Sequence, residues 1–141
     1  MKHTKLSLIA TVVGFCTAVT ASAGDIKVIA NPSVGASSVS ADEIKGVFLA
    51  TKTSLSDGSH VEPVLEKDGP AHEAFLKQFI GKTDTALETY YRSLVFTGKA
   101  SMPKTLAADA EVVAYVAKTK GAIGYVSAAA STAGVKTLEV R

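Results

Sequence analysis

Cysteine is nearly absent from this chain of 141 residues, in which Cys16 is the only one. One cysteine cannot form an intramolecular disulfide, and Phe15 before it is too large for the cleavage that precedes lipidation of a cysteine. His60 and His72, the histidines beyond the N-terminal region, have no histidine four residues away. Metal sites for first-row metals are usually richer in thiolate or imidazole. The sequence therefore predicts neither a disulfide nor a metal site, and it implies no cofactor.

Long apolar runs are also scarce. The run Leu6–Thr20 has about 15 residues, fewer than the roughly 20 that cross a bilayer as a helix. It follows a short basic start containing Lys2 and Lys5, and it precedes the small residues Ala21-Ser22-Ala23. This three-part pattern is typical of a cleaved secretory signal. We expect cleavage after Ala23 and export to the periplasm, with no membrane span afterwards; the alternative is a retained membrane anchor.

Excess charge of one sign is missing once the predicted signal is set aside. Removing Lys2 and Lys5 takes the 15 basic residues to 13, which equals the 13 acidic residues. A balanced chain lacks the strong positive field that binds nucleic acid or an anionic membrane surface. The remaining segment, Gly24–Arg141, has 118 residues, a length that suits one domain with a single core.

Strand and helix patterns alternate along this segment. Strands separated by helices favour an α/β fold, a single layered domain with a mixed β-sheet flanked by helices. Ser127–Gly134 is rich in small residues and is compatible with one helical turn. The predicted strands are Asp25–Ala30, Val61–Leu65, Ala122–Val126 and Val135–Val140, and the predicted helices run from Ser40 to about Ala50, Pro70 to Ile80, Thr83 to Val95 and Asp109 to Lys118.

Local signals refine three of these elements. Ser40 and Glu43 have the spacing of a capping box, in which each side chain bonds the backbone N–H of the other residue. Pro63 cannot donate to a sheet, so its strand is predicted to lie at an edge or to pair on one side only. The helix over Thr83–Val95 carries an apolar stripe that we expect to face the core, formed by Leu87, Tyr90, Tyr91, Leu94 and Val95.

Two kinds of catalytic or nucleotide-binding motif are incomplete. Gly81-Lys82-Thr83 resembles the end of a phosphate-binding loop, but Leu76 occupies the position of the first glycine. Gly98-Lys99 fails in the same way, because Ser93 stands where that glycine should be. The chain also has no G-x-S-x-G nucleophile elbow. We therefore do not predict an enzyme.

The turn Asp68-Gly69-Pro70 is the strongest candidate for a binding site. It follows a predicted strand and begins a helix, the place where open α/β sheets bind ligands and where backbone N–H groups attract anions. Asp68, Gly69, Ala71 and His72 would form the site, to which other loops could contribute Ser33, Ser38 and Lys99. The alternative, that Asp68 and Gly69 only cap the helix, stays open.

Several segments, in the same order, resemble the phosphate substrate-binding proteins of ABC transporters (PstS-like). The resemblance spans nearly all of the chain after the signal. It implies one lobe of a type II periplasmic binding protein and phosphate or another small anion as ligand. The resembling segments are Ile29–Pro32, Ser40–Leu49, Ser56–Val64, Asp68–Phe75 and Gly121–Val126.

The chain departs from this family in length and at the turn. Family receptors are about twice as long and close two lobes on phosphate. Pro70, Ala71 and His72 replace the family's Ser, Gly and Thr, and Glu66 replaces a nearby Arg. Two hypotheses follow: a small-ligand module with weak or altered anion binding, beside an ABC permease, or a ligand-free module that binds another envelope protein.

Overall fold

A computed structural model describes residues 26–141. The predicted signal, its cleavage site after Ala23, and Asp25 lie outside the described residues. Within residues 26–141, no helix has both the length and the hydropathy to cross a membrane. The strands are β1 (Ile26–Ala30), β2 (Ser38–Val39), β3 (Glu62–Glu66), β4 (Lys104–Leu106), β5 (Ala122–Ser127) and β6 (Lys136–Val140). The helices are α1 (Ala41–Phe48), α2 (Pro70–Phe75), α3 (Asp84–Phe96) and α4 (Asp109–Lys118), and a π-helical segment, Leu76–Ile80, continues α2.

The predicted α/β class is confirmed by a mixed sheet of six strands in the order β2-β6-β1-β5-β3-β4. β1 pairs antiparallel with both β5 and β6, whereas β3 pairs parallel with β4 and β5. The carboxyl ends of β3, β4 and β5 therefore lie at one edge of the sheet, together with the start of β1. We call this the ligand edge, because loops that leave parallel strands there form the binding crevices of open α/β sheets.

Both faces of the sheet are covered by helices. One buried cluster joins Val28, Leu65 and Tyr125 to α1, α2 and α3. A second cluster joins the alternate residues Ile29 and Val64 to α4. Successive side chains of a strand point to opposite faces, so strands buried on both sides have apolar runs rather than a polar–apolar alternation. This explains why Val28, Ile29 and Ala30 of β1 are apolar in succession.

The predicted capping box at α1 is confirmed. Ser40 accepts a hydrogen bond from the N–H of Glu43, and Glu43 accepts one from the N–H of Ser40. The other carboxylate oxygen of Glu43 accepts from the N–H and the hydroxyl of Ser56. Led by the bond from Ser56, these contacts lower the pKa of Glu43 to about 2. The same carboxylate thus starts α1 and anchors the polar loop that follows it.

Of the two alternatives predicted for the strand with Pro63, an edge position or pairing on one side only, the edge position is wrong, since β3 lies between β5 and β4. Glu62 donates its N–H to Gly121 beside β5, and Lys67 donates its N–H to Leu106 at the end of β4. Successive residues of a strand direct their N–H groups to opposite sides, so the backbone nitrogen at position 63 faces the β4 side. β4 pairs only with Val64–Glu66, and Pro63 therefore pairs on one side without leaving a ladder bond unmade.

Three further expectations needed revision. The helix predicted over Pro70–Ile80 is α-helical only to Phe75 and ends at Gly81 with a left-handed φ of 71°. Val95, predicted to face the core, is 44% exposed. Ser127–Gly134 contains turns but no helical turn, and the short strands β2 and β4 were not predicted.

Candidate functional site

The N-termini of two helices meet at the ligand edge, one on each face of the sheet. α2 begins directly after the turn Lys67–Gly69, in which Gly69 has φ 106° and leaves no side-chain cap. α4 begins at Asp109, which accepts hydrogen bonds from the N–H and the hydroxyl of Ser127 at the end of β5. Because β3 and β5 are parallel neighbours, these contacts bring residues far apart in the sequence to one point.

Glu66, the last residue of β3, is the unusual group at this edge. It is only 4% exposed, and its Oε1 atom has no hydrogen-bond partner among the described residues. Burial, followed by the hydrogen bond to Asp109 and the charges of Asp109 and Asp68, raises the pKa of Glu66 to about 8. At neutral pH the side chain is therefore mostly a protonated acid.

Asp109 titrates in the opposite direction. Burial acts to raise its pKa, but hydrogen bonds from Glu66 and Ser127 outweigh burial and lower it. The two carboxyl groups together thus hold one proton and one negative charge at neutral pH, as expected when like charges are forced together. The proton of Glu66 faces Asp109. Its Oε1, which has no partner within residues 26–141, could accept a hydrogen bond from an N–H or O–H group of a ligand.

His72 is held in a buried chain of hydrogen bonds. Its Nε2 lies 2.8 Å from Oδ1 of Asp84, and its Nδ1 contacts the hydroxyl of Tyr125. That hydroxyl also accepts the backbone N–H of Glu66 at 3.0 Å. The carboxylate of Asp84 can only accept, so Nε2 donates to it; in a neutral imidazole Nδ1 then accepts from the hydroxyl of Tyr125.

This Asp84–His72–Tyr125 chain fits a structural role. His72 is 2% exposed and Tyr125 is fully buried, so neither ring is presented to solvent. Burial raises the pKa of the Tyr125 hydroxyl, which keeps its proton and is not an activated nucleophile. Both ring nitrogens of His72 are already occupied. These hydrogen bonds hold the end of β3 against α2 and α3.

A pocket of about 350 Å³ lies beside the turn. Asp68 and His72 line it, and so do three other acidic side chains: Glu66, Asp84 and Glu88. Lys67 is the one lysine or arginine in this lining. The pocket is therefore predominantly acidic, which disfavours a free multivalent anion. Ala71, the remaining predicted residue of the turn, is buried at 6% exposure.

The three residues expected from other loops lie elsewhere. Ser33 follows β1 at the opposite edge of the sheet, where its hydroxyl accepts the N–H of Gly121 at 3.1 Å. Ser38 is in β2, four strands from β3 and hence about 19 Å away at a strand spacing of 4.8 Å. Lys99 lies on a separate groove beside the start of β3. The structure brings Asp68, Gly69, Ala71 and His72 together without these three.

Asp109 and Ser127 were not among the predicted site residues. The local sequence predicts only that Asp109 begins a helix and that Ser127 follows a strand. The available signal is topological: if the strand before Asp68 and the strand before Ser127 are parallel neighbours, their carboxyl ends lie at the same edge of the sheet. No local motif links them.

No family model and no curated protein sequence matches the chain. Solved structures do. The chain superposes with a TM-score of 0.64 and 16% identity on a Clostridium perfringens protein described as a phosphate ABC transporter substrate-binding protein with bound phosphate; the match covers 82% of this chain and 44% of that one. The fold is that of one lobe of a periplasmic binding protein.

Two further matches have the same proportions. PstS from Borrelia burgdorferi gives a TM-score of 0.62 at 11% identity, covering 83% of this chain and 47% of that one. An ABC-type phosphate transport receptor from Vibrio cholerae gives 0.54 at 11% identity, covering 82% and 46%. The matched part of this chain thus spans less than half the length of the receptors it resembles, and at these identities the likeness concerns the fold.

Proposed function

We propose that the chain is an exported small-ligand-binding module built on one receptor lobe, and that it binds phosphate or a related small anion only weakly. The observation that carries this proposal is Glu66: a buried carboxyl group at the ligand edge, with an oxygen that has no hydrogen-bond partner within residues 26–141. Buried polar atoms without partners are rare in folded proteins, and they mark positions where a ligand or water completes the bonding.

The same residue supports weak rather than tight phosphate binding. A cation at this position would attract phosphate, whereas the Glu66–Asp109 pair carries one negative charge at neutral pH. Pro70 at the start of α2 removes one backbone donor, and the adjoining pocket is acidic. A single lobe also contacts an ion from one side only, so water remains on the other side and competes for its hydrogen bonds.

Calorimetry with phosphate and with sulfate on the purified protein tests this proposal. We expect dissociation constants in the millimolar range, equivalent to roughly −4 kcal/mol. Phosphate should bind better than sulfate at pH 6, because H₂PO₄⁻ can donate a hydrogen bond to Oε1 of Glu66 and sulfate cannot. Micromolar affinity would contradict the weak-binding proposal, and no heat from either anion at about 20 mM would contradict anion binding altogether.

A protein-interaction module is the second candidate, favoured by apolar side chains at the end of α3. Val95 is 44% exposed, Phe96 94% and Met102 50%. Val95 and Phe96 are the last two residues of α3, and Met102 lies in the loop that follows; large exposed apolar side chains are typical of contact sites. Partner candidates are another envelope protein or an ABC permease.

Capture from the periplasm separates this candidate from the first. The full-length chain is expressed in a bacterium with a C-terminal tag, and the periplasmic fraction is purified and analysed by mass spectrometry. We expect a bait beginning at Gly24 and a partner that is lost with Phe96→Ser but kept with the exposed control Lys77→Ser. A bait that retains residue 1 would contradict export, and identical recovery with all baits would contradict an interface at Phe96.

A further inference from the structure

A second and larger groove runs along the β4 side of β3 and adjoins the acidic pocket, because Tyr91, Met102 and Thr105 line both. Its volume is about 870 Å³, within the range of roughly 300–1,000 Å³ that small-molecule sites occupy. The end of α1, Tyr91 of α3, the loop before β4, and Tyr115 of α4 form its walls. Much of the lining is apolar, including Val47, Val61, Pro63, Met102 and Tyr115.

The groove exists because β4 is short. β4 pairs with β3 only from Val64 onward, so the first two residues of β3, Glu62 and Pro63, have a strand partner on the β5 side alone. At the position where a longer β4 would require an N–H donor, the chain has Pro63, which has none. Because proline has no N–H, this open stretch of the sheet leaves no backbone donor without a partner at position 63. The proline ring occupies that position instead.

Three lysines surround this groove: Lys52, Lys99 and Lys104. None of them forms a salt bridge within residues 26–141. Nζ of Lys104 lies 5.7 Å from the ring centroid of Tyr115, where a cation and an aromatic face attract each other. Glu62 is the one acidic residue in the lining. The groove is therefore basic, in contrast to the acidic pocket beside Asp68.

We propose that this groove binds a small organic anion: a carboxylate attached to an apolar or aromatic body. The carboxylate pairs with the lysines, chiefly Lys99 and Lys104, and the body packs on Met102 and Tyr115. An inorganic ion such as phosphate has no surface to bury against the apolar lining and would stay hydrated. The proposal does not involve Glu66 or the turn at Asp68, so it stands or falls independently of the function proposed above.

Nuclear magnetic resonance on the ¹⁵N-labelled protein tests the site with defined probes. Titrations use 4-phenylbutyrate, phenylacetate and octanoate, and 4-phenylbutyramide serves as the uncharged isostere. We expect saturable shifts at Lys99, Lys104 and Tyr115, which line this groove and not the acidic pocket, and binding of the amide at least fivefold weaker. Inorganic phosphate at the same concentration should leave these resonances unchanged.

Variants assign the effect to the lysines. Lys52→Gln, Lys99→Gln and Lys104→Gln together should weaken 4-phenylbutyrate about tenfold, because each partly solvated ion pair contributes modestly. The control replaces Lys77 and Lys120, two exposed lysines outside the groove, and should change the affinity less than twofold. All these side chains are exposed, so the spectra should show that each variant remains folded.

Three outcomes would overturn the proposal. One is equal affinity for 4-phenylbutyrate and its amide, which would indicate apolar binding without charge recognition. Another is a shift pattern centred on the turn at Asp68 instead of on the groove. The third is the absence of saturable shifts in the groove when each of the three carboxylates is added to about 10 mM, which would mean that any dissociation constant lies above that concentration.

Discussion

Replacing Glu66 with glutamine is expected to stabilise the protein, increasingly so as the pH rises. The pKa of Glu66 is about 8 in the folded protein against an ordinary value of 4.5. Between these values the folded state keeps a proton that the unfolded chain has released, so raising the pH favours unfolding. The wild-type protein should lose about 3–5 kcal/mol between pH 4.5 and pH 9 through this residue, since each unit of pKa shift corresponds to about 1.4 kcal/mol.

Urea unfolding of the wild type and Glu66→Gln at pH 5, 7 and 9 measures this effect. Other groups titrate in both proteins, so the difference between the two free energies of unfolding isolates Glu66. We expect a small difference at pH 5 that grows by pH 7 and levels off above pH 8. Glu62→Gln, an exposed change in the same strand, is the control and should stay within about 0.5 kcal/mol at every pH. A difference between wild type and Glu66→Gln that does not vary with pH would contradict the raised pKa.

This cost is also the reason for assigning a role to Glu66. A glutamine or an apolar residue would destabilise the interior less, yet the ligand edge has an ionisable group whose Oε1 has no partner in the described part of the chain. Departures of this kind from the most stable arrangement occur preferentially at functional sites. A stabilised Glu66→Gln variant that also bound phosphate unchanged would leave Glu66 without the binding role proposed for it.

Replacing Phe75 with alanine is expected to cost about 3–5 kcal/mol, the range for truncating a buried phenylalanine. Phe75 is fully buried in α2. Its ring stacks on Tyr125 with centroids 3.9 Å apart and meets Phe48 edge to face at 4.7 Å. The substitution would thus leave a cavity between α1, α2 and β5, beneath the turn at the ligand edge.

The matched control is Phe79→Ala in the π-helical segment that follows. Phe79 is half-buried, and its ring centroid lies 5.5 Å from that of Phe75. Removing its ring should therefore lower the free energy of unfolding clearly less. Urea unfolding gives both values, and Phe75→Leu keeps the position measurable should the alanine variant fail to fold. Equal losses for Phe75→Ala and Phe79→Ala, or a loss below about 1 kcal/mol for the former, would show that this aromatic cluster is not the centre of the core.

Most helices and long strands of the fold were predictable because their signals are local. α4 was predicted with the bounds that the structure shows, Asp109–Lys118, since its apolar residues repeat with the helical period. The capping box of Ser40 and Glu43 needs only residues three positions apart. The turn at Gly69 was predicted from Asp-Gly-Pro chemistry. β2 and β4 were not predictable in this way, because strands of two and three residues are defined by their partners rather than by their own sequence.

The sequence by itself determined the α/β class and the strand–turn–helix over β3 and α2, because hydrophobic period and turn residues act within a few positions. Tertiary structure alone decided which side chains meet there. Glu66 encounters Asp109 across 43 positions only because α4 packs on the opposite face of the sheet and begins at the same edge. For the same reason Lys99 lies on the groove beside β4 instead of at the turn. Burial and like charge, which raise the pKa of Glu66, are properties of that packing and cannot be found in any short stretch of the chain.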